Sequence, residues 1–308
     1  MIVSVNPTYF CNFRCDFCYL TPEELGNQKQ ISLNKLDELL SQVQNIEHID
    51  LYGGEIGAMK KSYFYGVKEI IKKHYSGTIY INTNYSMMHP GFLDSDVYLA
   101  VSYDFEAREK ADLVFQNMML STRPIAVLIL ATEKVLKKDV MEMINMLNLC
   151  SSIKSVEIKP YSINQANAHT VTHKDFENFV IKWLELEEHM KFQFINWDRI
   201  EDSYNKKYNA FSDDHIYITP NGKFGVLEFD EADREYFLEL DSWEDYIDWT
   251  KKEKATMSPI CTSCEYFGNC LTEHYRYVKD LDNGCNGYKG LLDWYGRLEN
   301  SESSLSSS

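Results

Sequence analysis

The chain has 308 residues, 44% of them hydrophobic, which is enough to bury one large core and an appended smaller unit. Its net charge of −16 argues against nucleic acid as a partner, because phosphate binding requires clustered lysine and arginine. We expect no transmembrane helix and no secretory signal, since no long apolar run is present and the first residues lack a basic region and a cleavage site.

Strand and helix patterns alternate through the first half of the chain. A strand at residues 2–6 leads into a cysteine-rich loop, Ser32 caps a leucine-rich helix, and a second strand follows at 48–52. Further strands are predicted at 78–82, 98–104, 124–132 and 156–161, with helices around 62–75, 107–120 and 136–149. Six such units predict a parallel sheet with right-handed crossovers, in the form of a partial (βα)6 barrel open on one side.

The pattern changes after residue 173. A long helix from Phe176 to about His189, a short strand-like segment and a polar link reach Asp214, and Asn221-Gly222 then predicts a hairpin. A short helix around 242–254 precedes a second group of cysteines. We therefore expect a core at 1–172, a helical and linker segment at 173–214, an α+β extension at 215–300 and a disordered polar tail at 301–308.

Cys11, Cys15 and Cys18 form a C-x3-C-x2-C run near the start of the chain. Three thiolates so closely spaced cannot form regular disulfides with one another, but they can bind three irons of a [4Fe–4S] cluster and leave the fourth iron open. A zinc site or three unrelated buried thiols are the alternatives, although zinc normally takes four ligands at looser spacing. Eight cysteines without an export signal favour metal binding over disulfides, and a cytoplasmic location.

The cysteine run, with Phe17 just before its third cysteine, resembles the signature of the radical S-adenosylmethionine (SAM) enzymes. The resemblance covers about residues 1–165 and implies that the open iron chelates SAM. It also implies that Gly53-Gly54-Glu55, which resembles the family's GGE motif, holds the methionine amino group. Taken alone, Gly-Gly-Glu is only a tight turn.

Other residues at strand ends match the family less fully. Thr83-Asn84 resembles the family's TN strand end, but Tyr85 stands where glycine is usual and is expected to leave a larger side chain near the pocket. Ser102 and Asp104 correspond to positions that contact the SAM ribose or methionyl group in related enzymes, although ordinary polar residues at a strand end would look the same. In α/β barrels the chemistry lies at these carboxyl ends of the strands.

Polar residues alternate with apolar ones on the sixth strand. Val156 and Ile158 should pack under the helices, which directs Glu157, Lys159 and Tyr161 into the barrel. We interpret these three as candidate catalytic or pocket residues, and a mutually paired structural cluster is the alternative.

The second group of cysteines comprises Cys261, Cys264, Cys270 and Cys285. A zinc ribbon would explain the C-x2-C pair. The hairpin, the helix and the C-x2-C-x5-C spacing resemble the SPASM/twitch extension of some radical SAM enzymes. The extension's usual cysteine after the hairpin is missing, and His274 replaces another, so the resemblance implies a single auxiliary [4Fe–4S] cluster and two clusters in total. Cys150 is expected to be a buried structural thiol at the opposite end of the barrel.

The resemblance implies reductive cleavage of SAM to a 5′-deoxyadenosyl radical that removes a hydrogen from the substrate. Oxidative modification or crosslinking of a ribosomally made peptide is the leading interpretation. Modification of an aminoglycoside or amino acid is the alternative, and a non-catalytic iron–sulfur or zinc interaction protein is a distant one. The acidic stretch from Glu228 to Asp248 is either a solvated face or an attractive field for a cationic substrate.

The expected partners follow from this chemistry. An external one-electron donor such as flavodoxin or ferredoxin is implied. Because the first strand begins at Met1, no leader-recognising segment is expected within the chain, and a separate peptide-recognition protein or a short substrate is assumed. Neither nucleic acid nor a membrane is expected.

Overall fold

The computed structural model describes residues 1–161, 171–211, 213–227, 237–255, 259–271, 285 and 288–306. Within these ranges the strands form one sheet. They are β1 (Ile2–Val5), β2 (His48–Leu51), β3 (Ile79–Thr83), β4 (Val97–Ser102), β5 (Ile125–Leu130), β6 (Ile153–Lys159), β7 (Gln193–Phe194), β8 (His215–Ile218), β9 (Phe224–Leu227) and β10 (Phe237–Leu240).

The described helices lie mostly between the strands. They are α1 (Pro22–Gly26), α2 (Leu33–Leu40), α3 (Lys61–His74), α4 (Ala111–Leu120), α5 (Glu133–Leu136), α6 (Val140–Leu147), α7 (His173–Leu184), α8 (Ile195–Tyr204), α9 (Trp243–Ala255), α10 (Pro259–Thr262) and α11 (Lys289–Ser306). In the described part of the chain, no helix combines the length and apolar character that a membrane crossing requires.

The strands lie in the order β10-β9-β8-β1-β2-β3-β4-β5-β6-β7. Strands β1 to β6 are neighbours in chain order and all pair in parallel, which confirms the predicted α/β partial barrel. Alternation of side chains directs Ile125, Val127 and Ile129 of β5 into the core beneath the helices. The intervening positions of each strand face the barrel interior, where the candidate site lies.

Strand β8 is bonded to β1 in parallel, with Ile2 opposite His215 and Val5 opposite Ile218. The predicted hairpin is confirmed, since β8 and β9 are antiparallel and Gly222 has the positive φ of 76° that its turn requires. The hairpin nevertheless continues the barrel sheet on the side of β1 that the sequence interpretation left open. The extension and the barrel therefore share one sheet.

Two segments differ from expectation. The polar link after residue 195 contains helix α8, whose Asn196, Ile200 and Ser203 are buried at helical spacing. Helix α11 continues to Ser306, so the segment expected to be disordered from Ser301 is helical for its first six residues. Two of the three residues that α8 buries are polar, so the segment lacks the apolar periodicity that predicts a helix.

Candidate functional site

A cavity of about 1130 Å³ occupies the barrel interior. It is lined from Ile2 and His48, at the amino ends of β1 and β2, up to the cysteine loop at their carboxyl ends. Small residues keep the interior open on the side of β4 to β6, where Ala100, Ala126 and Ser155 face inward at adjacent register positions. A barrel filled by bulky apolar residues would leave no such space.

Cys11, Cys15 and Cys18 lie on the wall of this cavity as free, half-buried thiols. Backbone hydrogen bonds fix their loop: the amide of Cys11 donates to Leu25 O at 3.0 Å, and that of Cys18 to Cys15 O at 3.1 Å. Burial, together with the neighbouring Cys15 and Cys11, raises the pKa of Cys18 to about 11. This donor set of three fits an iron–sulfur cluster with one open iron.

The turn at Gly53 and Gly54 lies directly against the cysteine loop. The Gly54 amide donates to Thr8 O at 3.1 Å, and the Glu55 amide donates to Phe10 O at 2.8 Å. Gly53 has a φ of 128°, and a Cβ at position 54 would lie 2.2 Å from Phe10 O. Both positions therefore require glycine, because the turn and the loop touch backbone to backbone.

The Glu55 carboxylate points into the protein and is fully buried. Oε1 accepts hydrogen bonds from Gly57 N and Thr83 Oγ1, and Oε2 accepts one from Asn84 N, all at 2.6 Å. Burial raises the pKa of Glu55 even though these three donors lower it. Glu55 thus joins the turn after β2 to the end of β3, and its contact with SAM stays a prediction.

Asn84 connects the end of β3 to the cysteine loop. Its Nδ2 donates to Asn12 Oδ1 at 2.9 Å and lies 3.9 Å from Cys11 Sγ, while its Oδ1 accepts from Ser86 Oγ at 2.7 Å. Thr83 and Asn84 both line the cavity, and their contact with SAM stays a prediction. The expectation for Tyr85 is wrong: its φ of 53° turns the side chain into the core, and it does not line the cavity.

Ser102 and Asp104 line the cavity beyond the end of β4. The buried Asp104 carboxylate binds Arg108, with 2.5 Å between Oδ2 and Nη2, and accepts a hydrogen bond from Leu130 N. The Arg108 guanidinium lies 5.3 Å from the centre of the Phe17 ring, and its Nη1 is 3.9 Å from a cysteine sulfur, Cys15 Sγ. Arg108 was not predicted as a site residue from the sequence. It lies four residues after Asp104, however, a spacing at which an acidic and a basic side chain can pair.

Glu157, Lys159 and Tyr161 all line the cavity. Glu157 Oε1 lies 2.9 Å from Lys159 Nζ and also 2.9 Å from Arg199 Nε. The two interpretations are therefore compatible for Glu157 and Lys159, which face the cavity and also pair with each other. Arg199 comes from helix α8 and was missed because that segment was interpreted as a link.

Two members of the second group of cysteines are joined by a backbone hydrogen bond. The Cys264 amide donates to Cys261 O at 3.0 Å, and the thiols of Cys285, Cys270 and Cys264 add to burial in raising the pKa of Cys261 to about 11. Across the described ranges, no group of three or more His, Cys, Asp or Glu side chains is placed so that it could hold a metal ion.

Two other residues were named from the sequence. His274 is outside the described residues. Cys150 is buried just before β6, at the amino end of the sheet, and does not line the cavity.

No model of a protein family matches the sequence, and no curated protein matches it either. Solved structures do match. Native anSMEcpe with bound AdoMet (SAM) has a TM-score of 0.71 at 13% identity, with 99% of each chain covered. Native anSMEcpe with bound AdoMet and the Cp18Cys peptide has a TM-score of 0.67 at 14% identity, again with 99% of each chain covered.

Streptococcus suis SuiB bound to the precursor peptide SuiA has a TM-score of 0.61 at 12% identity, covering 90% of this chain and 75% of SuiB. At these low sequence identities, the similarity shows a shared fold and nothing more specific. The chain shares the fold of these radical SAM proteins along almost its whole length.

Proposed function

We propose that this protein is a radical SAM enzyme that cleaves SAM reductively and abstracts a hydrogen atom from its substrate. One observation carries the proposal: among the described residues, three thiols and no fourth cysteine lie on the wall of the cavity, in a fold shared with two radical SAM proteins. A [4Fe–4S] cluster held by Cys11, Cys15 and Cys18 would supply the one-electron chemistry that turns bound SAM into a 5′-deoxyadenosyl radical.

The chain's own residues bind and orient these groups. The glycine turn at 53–54 and the ends of β3 and β4 form the rim on which SAM would rest, with Thr83, Asn84 and Ser102 as its proposed contacts. Arg108 and Asp104 support the far side of the cysteine loop. A bound substrate that fills the cavity would keep water from the reacting atoms and so protect a reactive radical from side reactions.

A peptide is the substrate class we propose. Support comes from two fold neighbours that bind peptides, SuiB with its precursor peptide SuiA and anSMEcpe with Cp18Cys. The open cavity also suits an aminoglycoside or an amino acid, which remains the second candidate. We further propose a cytoplasmic location, a flavodoxin or ferredoxin as electron donor, and a separate peptide-recognition protein.

We propose that the net reaction is an oxidation, such as a crosslink. Among the described residues that line the cavity, the cysteines are Cys11, Cys15 and Cys18, which are assigned to the cluster. No other thiol in that lining could return a hydrogen to a substrate radical. The radical would instead lose an electron to the auxiliary cluster proposed at Cys261, Cys264, Cys270 and Cys285, and a proton to a base in the cavity.

Anaerobic reconstitution tests the proposal. We expect about eight irons per chain, and 5′-deoxyadenosine when SAM and a reductant are added. Joint replacement of Cys11, Cys15 and Cys18 with alanine should leave about four irons and abolish SAM cleavage. Matched replacement of Cys261, Cys264 and Cys270 should also leave about four irons but spare SAM cleavage. Absence of 5′-deoxyadenosine from the fully loaded wild-type protein would refute the proposal.

A further inference from the structure

Six inward-facing residues form a belt across the middle of the barrel. Ser4 of β1 lies opposite Asp50 of β2, Asp50 opposite Tyr80 of β3, and Tyr80 opposite Tyr98 of β4. On the other side, Ser4 lies opposite Tyr217 of β8, and Ser155 of β6 faces the cavity two strands away from Tyr98. All six line the cavity, so the belt surrounds its middle section.

Asp50 is the acidic residue of this belt. Its Oδ2 accepts a hydrogen bond from Ser4 Oγ at 2.8 Å, and its side chain is 13% exposed, toward the cavity. In the part of the chain that the structure describes, no lysine or arginine nitrogen lies within 4.0 Å of the carboxylate; the nearest basic atom is His48 Nε2, at 3.8 Å. A buried carboxylate without a cation is costly, and a positive group that enters the cavity would remove that cost.

The walls beside Asp50 are aromatic. The rings of Tyr80 and Tyr98 are 5.5 Å apart, and the His48 ring lies 4.5 Å from that of Tyr80. On the opposite side, Tyr217 stacks on His215 at 4.6 Å. Faces of tyrosine rings attract ammonium and guanidinium groups, and more strongly where water is excluded.

We propose that this belt is a binding site for a cationic group of the substrate, an ammonium or guanidinium that pairs with Asp50 between the tyrosine rings. This site would bind part of the substrate of the proposed enzyme, so its biological role rests on the proposed function. Asp50 is three residues before Gly53, about 10 Å along the strand from the turn beside the cysteine loop. A lysine or arginine side chain could therefore reach Asp50 while its backbone lies near the cysteines.

The pH dependence of binding follows from the groups that face Asp50. Burial raises the pKa of Asp50 to about 7, while Ser4 and the positive charge of Lys159 on β6 lower it. Burial lowers the pKa of His48, so His48 stays neutral near pH 7. His215 of β8 reaches Asp50 only through Ser4, whose Oγ is 2.9 Å from its Nε2. Binding of a cation needs the ionised carboxylate, so affinity should rise as pH increases through 7.

Calorimetric titration of the reconstituted protein with n-butylammonium chloride tests the site, with n-butanol as a neutral probe of the same shape. We expect saturable binding of n-butylammonium that is about tenfold tighter at pH 8 than at pH 6. Asp50→Asn should weaken it at least tenfold and remove the pH dependence, and Tyr80→Leu should weaken it while keeping that dependence. His215→Gln should also keep it, because Asp50 is the titrating group.

Asp214→Asn is the matched control, since Asp214 also lines the cavity but lies at its amino end, outside the belt. Its affinity for n-butylammonium should equal that of the wild type. Equal binding of n-butanol, or unchanged binding in Asp50→Asn, would overturn the proposal. The titration requires no SAM cleavage, so failure here leaves the proposed enzyme class standing, and failure of SAM cleavage leaves this site standing.

Discussion

Arg108 and Asp104 form a buried ion pair one helical turn apart, and the same guanidinium reaches the cysteine loop. Asp104 holds Arg108 Nε at 2.7 Å and Nη2 at 2.5 Å, which leaves Nη1 directed at Cys15 Sγ. A fixed positive charge beside a sulfur ligand stabilises the more negative, reduced state of a cluster. The Asp104–Arg108 pair would therefore link the end of β4 to the reduction potential of the proposed cluster.

Removal of the Arg108 charge should lower the reduction potential of the cluster. The double variant Arg108→Gln/Asp104→Asn replaces both charges and avoids a buried unpaired carboxylate. We expect its iron content to match the wild type and its reduction midpoint to fall, because Arg108 acts on Cys15 more strongly than Asp104 does, so that its loss outweighs the loss of the carboxylate. Arg108→Lys should give a smaller fall. A midpoint equal to that of the wild type in the double variant, followed by electron paramagnetic resonance, would contradict the role of Arg108.

Glu55→Ala should destabilise the fold as well as weaken SAM binding. The change leaves three buried donors without an acceptor, on Gly57, Thr83 and Asn84, each costing about 1–3 kcal/mol. We expect a lower midpoint of chemical denaturation and a weaker SAM affinity, with both clusters retained. Glu55→Gln, which keeps one acceptor oxygen, should lose less stability. Full stability in the alanine variant would show that these hydrogen bonds are not formed in solution.

Gly54→Ala should disturb the cysteine loop, because the added Cβ would meet Phe10 O at 2.2 Å. Since Phe10 directly precedes Cys11, we expect a loss of iron from the N-terminal cluster on reconstitution, while the auxiliary iron is retained. Gly26→Ala is the matched control: its Cβ would meet only Arg14 Nη2, at 3.8 Å, an ordinary van der Waals distance. Equal iron content in the two variants would refute the close approach of turn and loop.

Asp50 should make the protein less stable as pH rises. Its pKa is about 7 in the folded state and near 3.8 when unfolded, so the folded state binds the extra proton between these values. The free energy of unfolding should therefore fall as pH increases from 4 to 7. Asp50→Asn should flatten this slope and raise stability at pH 8 by about 2–4 kcal/mol, measured by denaturant titration. If the pH dependence of the free energy of unfolding is unchanged by the substitution, a group other than Asp50 causes it.

The barrel could be predicted from the sequence because its signals are local. Strands such as Ile125–Leu130 lie in short apolar runs bounded by polar residues, and three cysteines at fixed spacing need no tertiary information. Pairings between distant segments could not be predicted. Arg199 contacts Glu157 only because α8 folds back over β6. Ser4 contacts both Asp50 and His215 only because of the register of three strands. The direction of Glu55 likewise depends on Thr83 and Asn84, which lie 28 and 29 residues away.

The parallel pairing of β1 with β8 also constrains the order in which the protein can fold during synthesis. The β1 edge that takes up His215–Ile218 stays unpaired until more than two hundred further residues have left the ribosome. An exposed parallel edge of valine and isoleucine is a template for association with other chains. A chain that ends before residue 215 should therefore aggregate despite containing all six βα units, and a nascent chain of that length would depend on chaperones.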